Sequence, residues 1–591
     1  MGFFSSRLRR KLRRTATASL LTLGLAGVAL GNPSGATVRH GQVNISPGTH
    51  AQIQQLTDQA IVDWQSFSIG PSESVRILQP GALSVLLNRV TGVDPSTILG
   101  SLEANGNVWL INPNGILFGP GSTVNVGGLV ASTLDISNQD FLSGNYNFRL
   151  AGPELGAVVN QGRIRITDGG YAVLTGPSVL NEGTIVAKSG TVVLAAGEQA
   201  TLNFDGRDLV SFAVGQSAGN GTVLLAPGMM SDTLAETFGV STALRADQLV
   251  RDADGSVRLV NSSGTLIQAG EVSVDGQAGQ DAGNIVLHSA DVTVLADGSI
   301  TSASGQGAES NGGDIYVLSY MDASASDRGF TDIGAGSSLL ATGGTSGDGG
   351  FIEVSGDRLN LHGEIDLSAT DGKSGDFLLD PVVVTIVNGN QMPTDTTDPI
   401  QLTTTTTIGD DWLESLNLTN LTIESAGDII FDIDPIDGIL DFRGGGRVDN
   451  LVLTAGTGEL GNIFLGDDGT SILGLTNLTL NTVDAGGGDI NLGDATVVLS
   501  GALDINSSGN INLQTSVLNL SSNSSRGVAP LSISAAGNLN LGSADIDVFN
   551  NFAGDEDLLI EAGGNIDLGT ADLTYDVATQ LDLVTTTIRA G

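Results

Sequence analysis

The feature that most constrains the fold is a short segment that recurs along the second half of the chain. Each copy has Gly, then Asn or Asp, then apolar and polar residues that largely alternate. Copies begin at Gly427, Gly461, Gly488, Gly509, Gly537 and Gly564, at spacings of 34, 27, 21, 28 and 27 residues. Alternation is typical of a β-strand with one buried face, and this period favours a coil of stacked strands.

A related pair of segments lies in the first half. VVNQGRI begins at Val158 and VLNEGTI at Val179, 21 residues later. Gly supplies 83 of the 591 residues and aromatics only 4%, so we expect many tight turns and an aliphatic core. We therefore predict an all-β chain folded as an elongated parallel β-helix (a β-solenoid). A β-propeller or a string of β-sandwiches is the alternative. Few segments look helical; residues 51–62 do so weakly.

The amino terminus has the pattern of a secretory signal peptide over residues 1–31. The basic run RRKLRR precedes an apolar stretch, Ser19–Leu30, that is too short to span a bilayer. Ala29 and Gly31 supply the small residues that signal cleavage before Asn32 requires. We expect a chain that is exported rather than embedded as an integral membrane protein.

The charge balance excludes one class of partner. The chain has 65 acidic and 24 basic residues, a formal charge of −41. Such a surface repels phosphate backbones, so we expect no binding to nucleic acid. There are no cysteines, which excludes disulfides and Cys-ligated metals.

Several short patterns resemble catalytic or metal sites but lack the necessary context. Gly215–Gly219 fits G-x-S-x-G, yet the sequence after it predicts a turn and a strand instead of a helix. The acidic turn Gly466–Gly469 stands outside any tandem calcium-binding array. The four histidines have no metal-ligand spacing: His40, His50, His288 and His362. We expect no catalytic residue, no metal and no cofactor, and therefore not an enzyme.

A tight turn stands out in the first quarter of the chain. In Asn112-Pro113-Asn114-Gly115, Pro fixes φ, Asn bonds the backbone and Gly closes the turn before Ile116. AIVDWQSFSIG and LLNRVTGVDPSTILGSLEANGNVWLINPNGILFG lead into it, and STVNVGGLVASTLDIS follows. Together these segments resemble the amino-terminal secretion domain of two-partner secretion exoproteins, the family of filamentous haemagglutinin, with its haemagglutination activity domain. The resemblance is dense over about residues 37–210, but the family's upstream Asn-Pro-Asn-Leu motif is absent.

The resemblance implies a right-handed β-helix, an N-terminal cap and a route of export. Such chains reach the periplasm unfolded, and an Omp85-like transporter of the cell outer membrane recognises their first domain. They then fold outside, secreted or held at the cell surface. The family's turn motif falls on residues 112–116. It either contacts the transporter or only shapes the fold.

We predict five segments. Residues 1–31 are the signal peptide, 32–260 the secretion domain and 261–387 a β-helical extension that ends in the family-like segment FLLDPVVVTIV. A Thr/Pro/Asp-rich linker or loop, 388–411, precedes β-helical repeats at 412–591. The expected function is that of an adhesin that attaches to a host-cell or environmental glycan or protein. A β-helical polysaccharide-degrading enzyme and a purely structural surface rod are the alternatives.

Overall fold

The computed structural model describes residues 32–152, 156–202, 249–251, 257–259, 264–319, 329–388, 394–395, 406–432, 439–443, 447–457, 460–465, 470–484, 486–522, 531–550, 558–577 and 586–590. The predicted signal peptide, with Ala29 and Gly31, lies outside these ranges. So do the pattern at Gly215 and the acidic turn at Gly466.

One sheet, here called sheet A, continues through the whole described chain with 18 strands. Its neighbouring strands run parallel except for the first pair, which is antiparallel. The strands in order are Thr37–His40, Gln59–Trp64, Val85–Val90, Asn107–Ile111, Gly128–Ser132, Tyr171–Gly176, Thr191–Ala196, Asn284–Ser289, Asp314–Ser319, Phe351–Gly356, Asp376–Asp380, Asn417–Ser425, Arg447–Ala455, Asn477–Thr482, Leu503–Ser507, Leu531–Ala535, Leu558–Ala562 and Thr586–Ala590.

Two further sheets complete each coil of the first part of the chain. Sheet B has 11 strands: Val43–Ser46, His50–Gln55, Ser74–Leu78, Ser101–Ala104, Thr123–Val126, Arg163–Ile166, Thr184–Val186, Glu271–Ser273, Ile300–Ser302, Ser338–Leu340 and Glu364–Asp366. Sheet C has eight: Ser96–Ile98, Ile116–Phe118, Ala157–Asn160, Ser178–Asn181, Thr265–Gln268, Val292–Leu295, Phe330–Ile333 and Arg358–Leu361.

Two other sheets replace them in the second part. Sheet D has nine strands: Thr394–Asp395, Thr406–Gly409, Val384–Val387, Ile429–Asp432, Ile463–Phe464, Ile490–Asn491, Ile511–Asn512, Leu539–Asn540 and Ile566–Asp567. Sheet E has six: Ile439–Asp441, Ser471–Leu473, Thr496–Leu499, Val517–Ser522, Asp545–Asn550 and Asp572–Val577. Two antiparallel pairs lie apart, Tyr146–Arg149 with Gln199–Leu202 and Leu249–Arg251 with Val257–Leu259. Within the described ranges, the helices are Asn138–Ser143 and Asp410–Ser415.

The core is a single continuous stack of aliphatic side chains inside the coil. Buried residues from Ala51 to Ala562 form one apolar cluster. In sheet A, Ala131, Leu174 and Leu194 face inward at matching positions and are fully buried. Burial of each leucine stabilises the fold by about 1.5–3 kcal/mol relative to an exposed one. The predicted all-β class and parallel β-helix are confirmed.

The predicted repeats fall into register. The apolar residue third in each copy pairs with its equivalent one coil away: Ile429, Ile463, Ile490, Ile511, Leu539 and Ile566. The preceding Asn or Asp forms a ladder in which a side-chain oxygen accepts the backbone N–H of the next coil. Asp489 Oδ1 accepts from Asn510 N at 2.7 Å, and Asn510 Oδ1 from Asn538 N at 2.8 Å. This ladder explains why Asn and Asp recur there.

Antiparallel strands cover the first coil. Thr37–His40 runs against Gln59–Trp64 in sheet A, and Val43–Ser46 runs against His50–Gln55 in sheet B. These strands cover an edge that would otherwise be open to pairing with another chain, so the expected N-terminal cap is present. The weak helical pattern at residues 51–62 does not correspond to a helix. Strand His50–Gln55 alternates between exposed and buried residues, and its apolar positions fit a strand on the core.

The cross-section changes near the middle of the chain. Sheets B and C end at Asp366 and Leu361, whereas sheet A continues. The predicted linker, 388–411, ends earlier than expected because Thr406–Gly409 is a strand paired with Val384–Val387. The threonines of strand Thr406–Gly409 are β-branched and favour a strand. The helix that follows buries Trp412 in the core.

Candidate functional site

The turn at residues 112–116 lies at a corner of the coil, between sheets A and C. Asn112 follows strand Asn107–Ile111 and is fully buried. Its side-chain NH₂ donates to Asp94 O and to Ser96 Oγ, both at 3.0 Å. Its Oδ1 accepts from the backbone N of Asn114 at 3.0 Å. The side chain therefore joins two neighbouring coils from inside.

The remaining residues of the motif complete the corner. Asn114 Nδ2 donates to Gly92 O at 2.9 Å. Gly115 has φ +121°, a conformation that favours glycine, and donates to Asn112 O at 3.1 Å. Pro113 is half-buried, and Ile116 begins a strand of sheet C with its side chain in the core. The sequence analysis did not predict the contacts of this corner with the loop at 91–96.

A second apolar cluster lies outside the coil, on the outer face of sheet A. Its centre is Trp109, which packs edge-on against Phe141 at 5.2 Å and Tyr146 at 4.9 Å between ring centroids. A flap, residues 133–150, covers it with the helix Asn138–Ser143 and a strand. The flap strand pairs with Gln199–Leu202.

The sequence analysis missed the flap helix, although two signals mark it. Ser137 is the N-cap and accepts from Asp140 N at 3.0 Å. Gly144 ends the helix with φ +77°. A Ser followed three residues later by an acid, with a Gly beyond, is a known start and stop pattern. A helix of six residues is too short to show a hydrophobic period.

Arg89 connects the cap, the first coils and the flap. Its Nε donates to Asp135 Oδ1 at 2.9 Å, and Nη1 lies 3.5 Å from Asp63 Oδ1. Nη1 also donates to Asn138 Oδ1 at 2.7 Å. Asp63 in turn pairs with Arg39 of the cap strand at 2.5 Å. Only 13% of the Arg89 side chain is exposed, so water screens this network less than a surface pair.

Tyr171 lies beneath the flap with its hydroxyl in an apolar environment. Trp109 Nε1 donates to the Tyr171 hydroxyl oxygen at 3.0 Å. Burial raises the pKa of Tyr171 well above the usual range of a phenol, and the nearby Tyr146 raises it further. The phenol therefore stays protonated at neutral pH and acts as a packing and hydrogen-bonding group.

The other residues from the sequence analysis are scattered. His40 is exposed at the end of strand Thr37–His40, and His362 is exposed just after strand Arg358–Leu361. His288 is buried in sheet A, and His50 Nδ1 lies 2.9 Å from Ser74 Oγ. Asn32 is half-buried, and its side-chain amide contacts Gly48 O. Among the described residues, no three His, Asp or Glu side chains are placed to hold a metal ion. The helices in that same part of the chain are all too short or too polar to cross a membrane.

Comparison with known proteins shows a domain similarity over the first half of the chain. The model of the TPS (two-partner secretion) secretion domain matches residues 29–317. Residues 29–317 are therefore similar to the secretion domain of two-partner secretion exoproteins. The match includes the cap, the corner at 112–116 and the flap, and it extends beyond residue 260, where the sequence analysis had ended the domain.

Curated relatives share part of this region. A heme/hemopexin-binding protein of Haemophilus influenzae strain Rd is 41% identical over 178 residues, which are 29% of this chain and 19% of that protein. A second H. influenzae protein of the same name is 44% identical over 96 residues, or 16% of this chain and 10% of that protein. The chain thus spans at most about a fifth of the curated relatives it matches.

A solved structure is also similar. The HMW1 secretion domain from Haemophilus influenzae is 20% identical, and the alignment covers 92% of this chain and 100% of that one with a TM-score of 0.35. The parallel β-helix described above follows from the strand pairings of this chain itself.

Proposed function

We propose that an Omp85-like outer-membrane transporter exports this two-partner secretion exoprotein by recognising its first domain, and that the exported rod serves in attachment. The observation that carries the proposal is the secretion domain at residues 29–317. The proposed location is therefore the medium or the outer cell surface, reached through the periplasm after removal of residues 1–31.

The architecture suits passage as an unfolded chain. Each coil contacts mainly its neighbours, so the rod can form coil by coil as the chain emerges. The cap covers the first coil, which gives the stack a place to start. The excess of acidic residues keeps the unfolded chain soluble through self-repulsion.

Export is tested by expressing the full chain in a Gram-negative host with and without the transporter encoded beside its gene. We expect protein in the medium or on the cell surface only when the transporter is present. Equal export without it would refute two-partner export. Binding of the purified chain to cells and to immobilised glycans then tests attachment, and release of sugar products from those glycans would favour the enzymatic alternative.

A second candidate function comes from the relatives. Both are named for binding heme and hemopexin, and one is 41% identical over 178 residues. Titration of the purified chain with hemin, followed by absorbance, and capture by immobilised hemopexin would test this function. If the chain binds neither hemin nor hemopexin, attachment remains the favoured role.

A further inference from the structure

The last strand of sheet B, Glu364–Asp366, is paired on one edge only within the described residues. Its partner is Ser338–Leu340, and no further strand of sheet B follows it. In the preceding coils a sheet B strand comes before the return to sheet A, but in the next coil helix Asp410–Ser415 comes before sheet A strand Asn417–Ser425. A helix bonds its own backbone groups internally and cannot extend a ladder of strands, so no described strand covers this edge.

The register shows which backbone groups face the open edge. Glu364 N donates to Ser337 O at 2.8 Å, and Ala341 N donates to Asp366 O at 2.9 Å. Residues of a parallel strand bond alternately to one side and the other, so the N–H and C=O of Ile365 point away from the paired strand. Neither group has a backbone partner in the described part of the chain. The edge therefore offers one donor and one acceptor to an added strand.

A cleft of about 440 Å³ lies between this edge and the helix. Residues 363–367 form one wall, and Trp412 and residues 415–418 form the other. Trp412 and Leu416 are buried in the apolar core, and the half-buried side chain of Ile365 packs against that core. The inner part of the cleft is therefore apolar. Its volume lies within the range of pockets that bind small ligands, and it suits a few extended residues.

The outward side chains of the edge strand are acidic. Because Ile365 faces the core, Glu364 and Asp366 face the other side of the sheet, where Glu364 is exposed. None of the described residues that line the cleft is basic. Side chains of neighbouring strands meet on the same face, and opposite charges stabilise such pairs. An added strand therefore fits best with basic residues outward and an apolar residue between them, facing the inner part of the cleft.

The charge of the chain argues against a second copy as the added strand. With 65 acidic and 24 basic residues, the chain has a formal charge of −41. Like charges on directly opposite strands are destabilising. A cationic segment of another protein is the better match for this edge.

We propose that this cleft binds an extended basic–apolar–basic segment of a partner protein, which adds one strand to sheet B. Main-chain bonds to Ile365 would supply affinity, and Glu364 and Asp366 would select the charge. The inference deepens the proposed attachment role, on which it rests, by naming the class of partner. It concerns the folded rod outside the cell.

The test measures binding of the labelled peptide Thr-Lys-Val-Lys-Thr to the purified full chain by fluorescence anisotropy. We expect Thr-Glu-Val-Glu-Thr to bind about tenfold more weakly, because both outward pairs become repulsive. The lysine peptide with N-methyl groups on its three central residues keeps its charge but loses the N–H donors of an added strand, and it should not bind. Equal binding by the N-methylated peptide would overturn the inference, since charge alone would then attract the peptide.

A charge-reversed variant places the site on the edge strand. Glu364→Lys should weaken binding of the lysine peptide about tenfold and strengthen that of the glutamate peptide. Glu103→Lys is the matched control, because Glu103 is an exposed carboxylate on strand Ser101–Ala104 of the same sheet, which is paired on both edges. It should bind both peptides like the wild type. Both variants should keep the wild-type melting temperature; unchanged peptide binding in Glu364→Lys would overturn the inference.

Two further results would assign the cleft to another occupant and also overturn the inference. Self-association of the purified chain that Glu364→Lys changes, measured by sedimentation velocity, would show that a second copy covers the edge. Peptide binding that appears only after deletion of residues 396–405 would show that this segment of the same chain occupies the cleft.

Attachment is measured separately, on cells that export the chain. If these cells attach but the purified chain does not bind the lysine peptide, the inference is wrong and the attachment role stands. If cells that export the wild type do not attach to any surface, the proposed attachment role itself fails.

Discussion

Asn112 makes its hydrogen bonds from a position with no exposed surface. Asn112→Ala removes both donors and leaves Asp94 O and Ser96 Oγ without them. We expect the free energy of unfolding of the first coils to fall by about 3 kcal/mol, measured by denaturant titration with tryptophan fluorescence. Asn44→Ala, at an exposed asparagine of the cap, is the control and should have almost no effect. Wild-type stability in Asn112→Ala would contradict a structural role.

Tyr171 gives a second prediction for a single residue, on alkaline pH. Its pKa is raised in the folded state above the unfolded value of about 10. The group therefore contributes stability that is present below that pH and is lost as the pH rises through the folded pKa. We expect the melting temperature of the wild type to fall from about pH 9 to 11, and that of Tyr171→Phe to fall less. Parallel falls in the two proteins would show that other groups control the alkaline response.

Among the elements, local repeats were predictable and long-range packing was not. The strands that begin at Ile490 and Ile511 were evident because alternation and the preceding Gly-Asn or Gly-Asp turn are properties of adjacent residues. The cap strand Val43–Ser46 was expected only through the family resemblance, because its antiparallel pairing depends on a distant sequence. The flap was missed for the same reason, since its strand pairs with Gln199–Leu202.

The flap provides a prediction on an element. Arg89 holds it through Asp135 and Asn138, so Arg89→Met should keep the packing of the side-chain stem but lose these bonds. We expect faster hydrogen exchange over residues 137–149 and altered Trp109 fluorescence. Arg163→Met, at an exposed arginine on a strand of sheet B, is the matched control. Unchanged exchange in Arg89→Met would mean that the apolar cluster and the pairing with Gln199–Leu202 hold the flap without Arg89.

For the whole molecule, sheet A is the element that unites the two parts of the described chain. Sheets B and C end near residue 366, and sheets D and E replace them, while sheet A pairs Asp376–Asp380 directly with Asn417–Ser425. The sequence indicated an interruption there but not this exchange of sheets. Composition marks where a repeat stops, whereas the pairing partner of each strand is set in three dimensions.

Contacts limited to neighbouring coils predict that damage stays local. Leu174 and Leu480 are both fully buried on the inner face of sheet A, at matching positions far apart along the rod. Replacing either by Ala should cost about 2–5 kcal/mol. In a stack with mainly nearest-neighbour contacts, Leu480→Ala should speed hydrogen exchange around residues 447–507 and leave residues 32–202 protected. Leu174→Ala should do the reverse, so each variant serves as the other's control. Faster exchange along the entire chain in both variants would instead show that the rod unfolds as one cooperative unit.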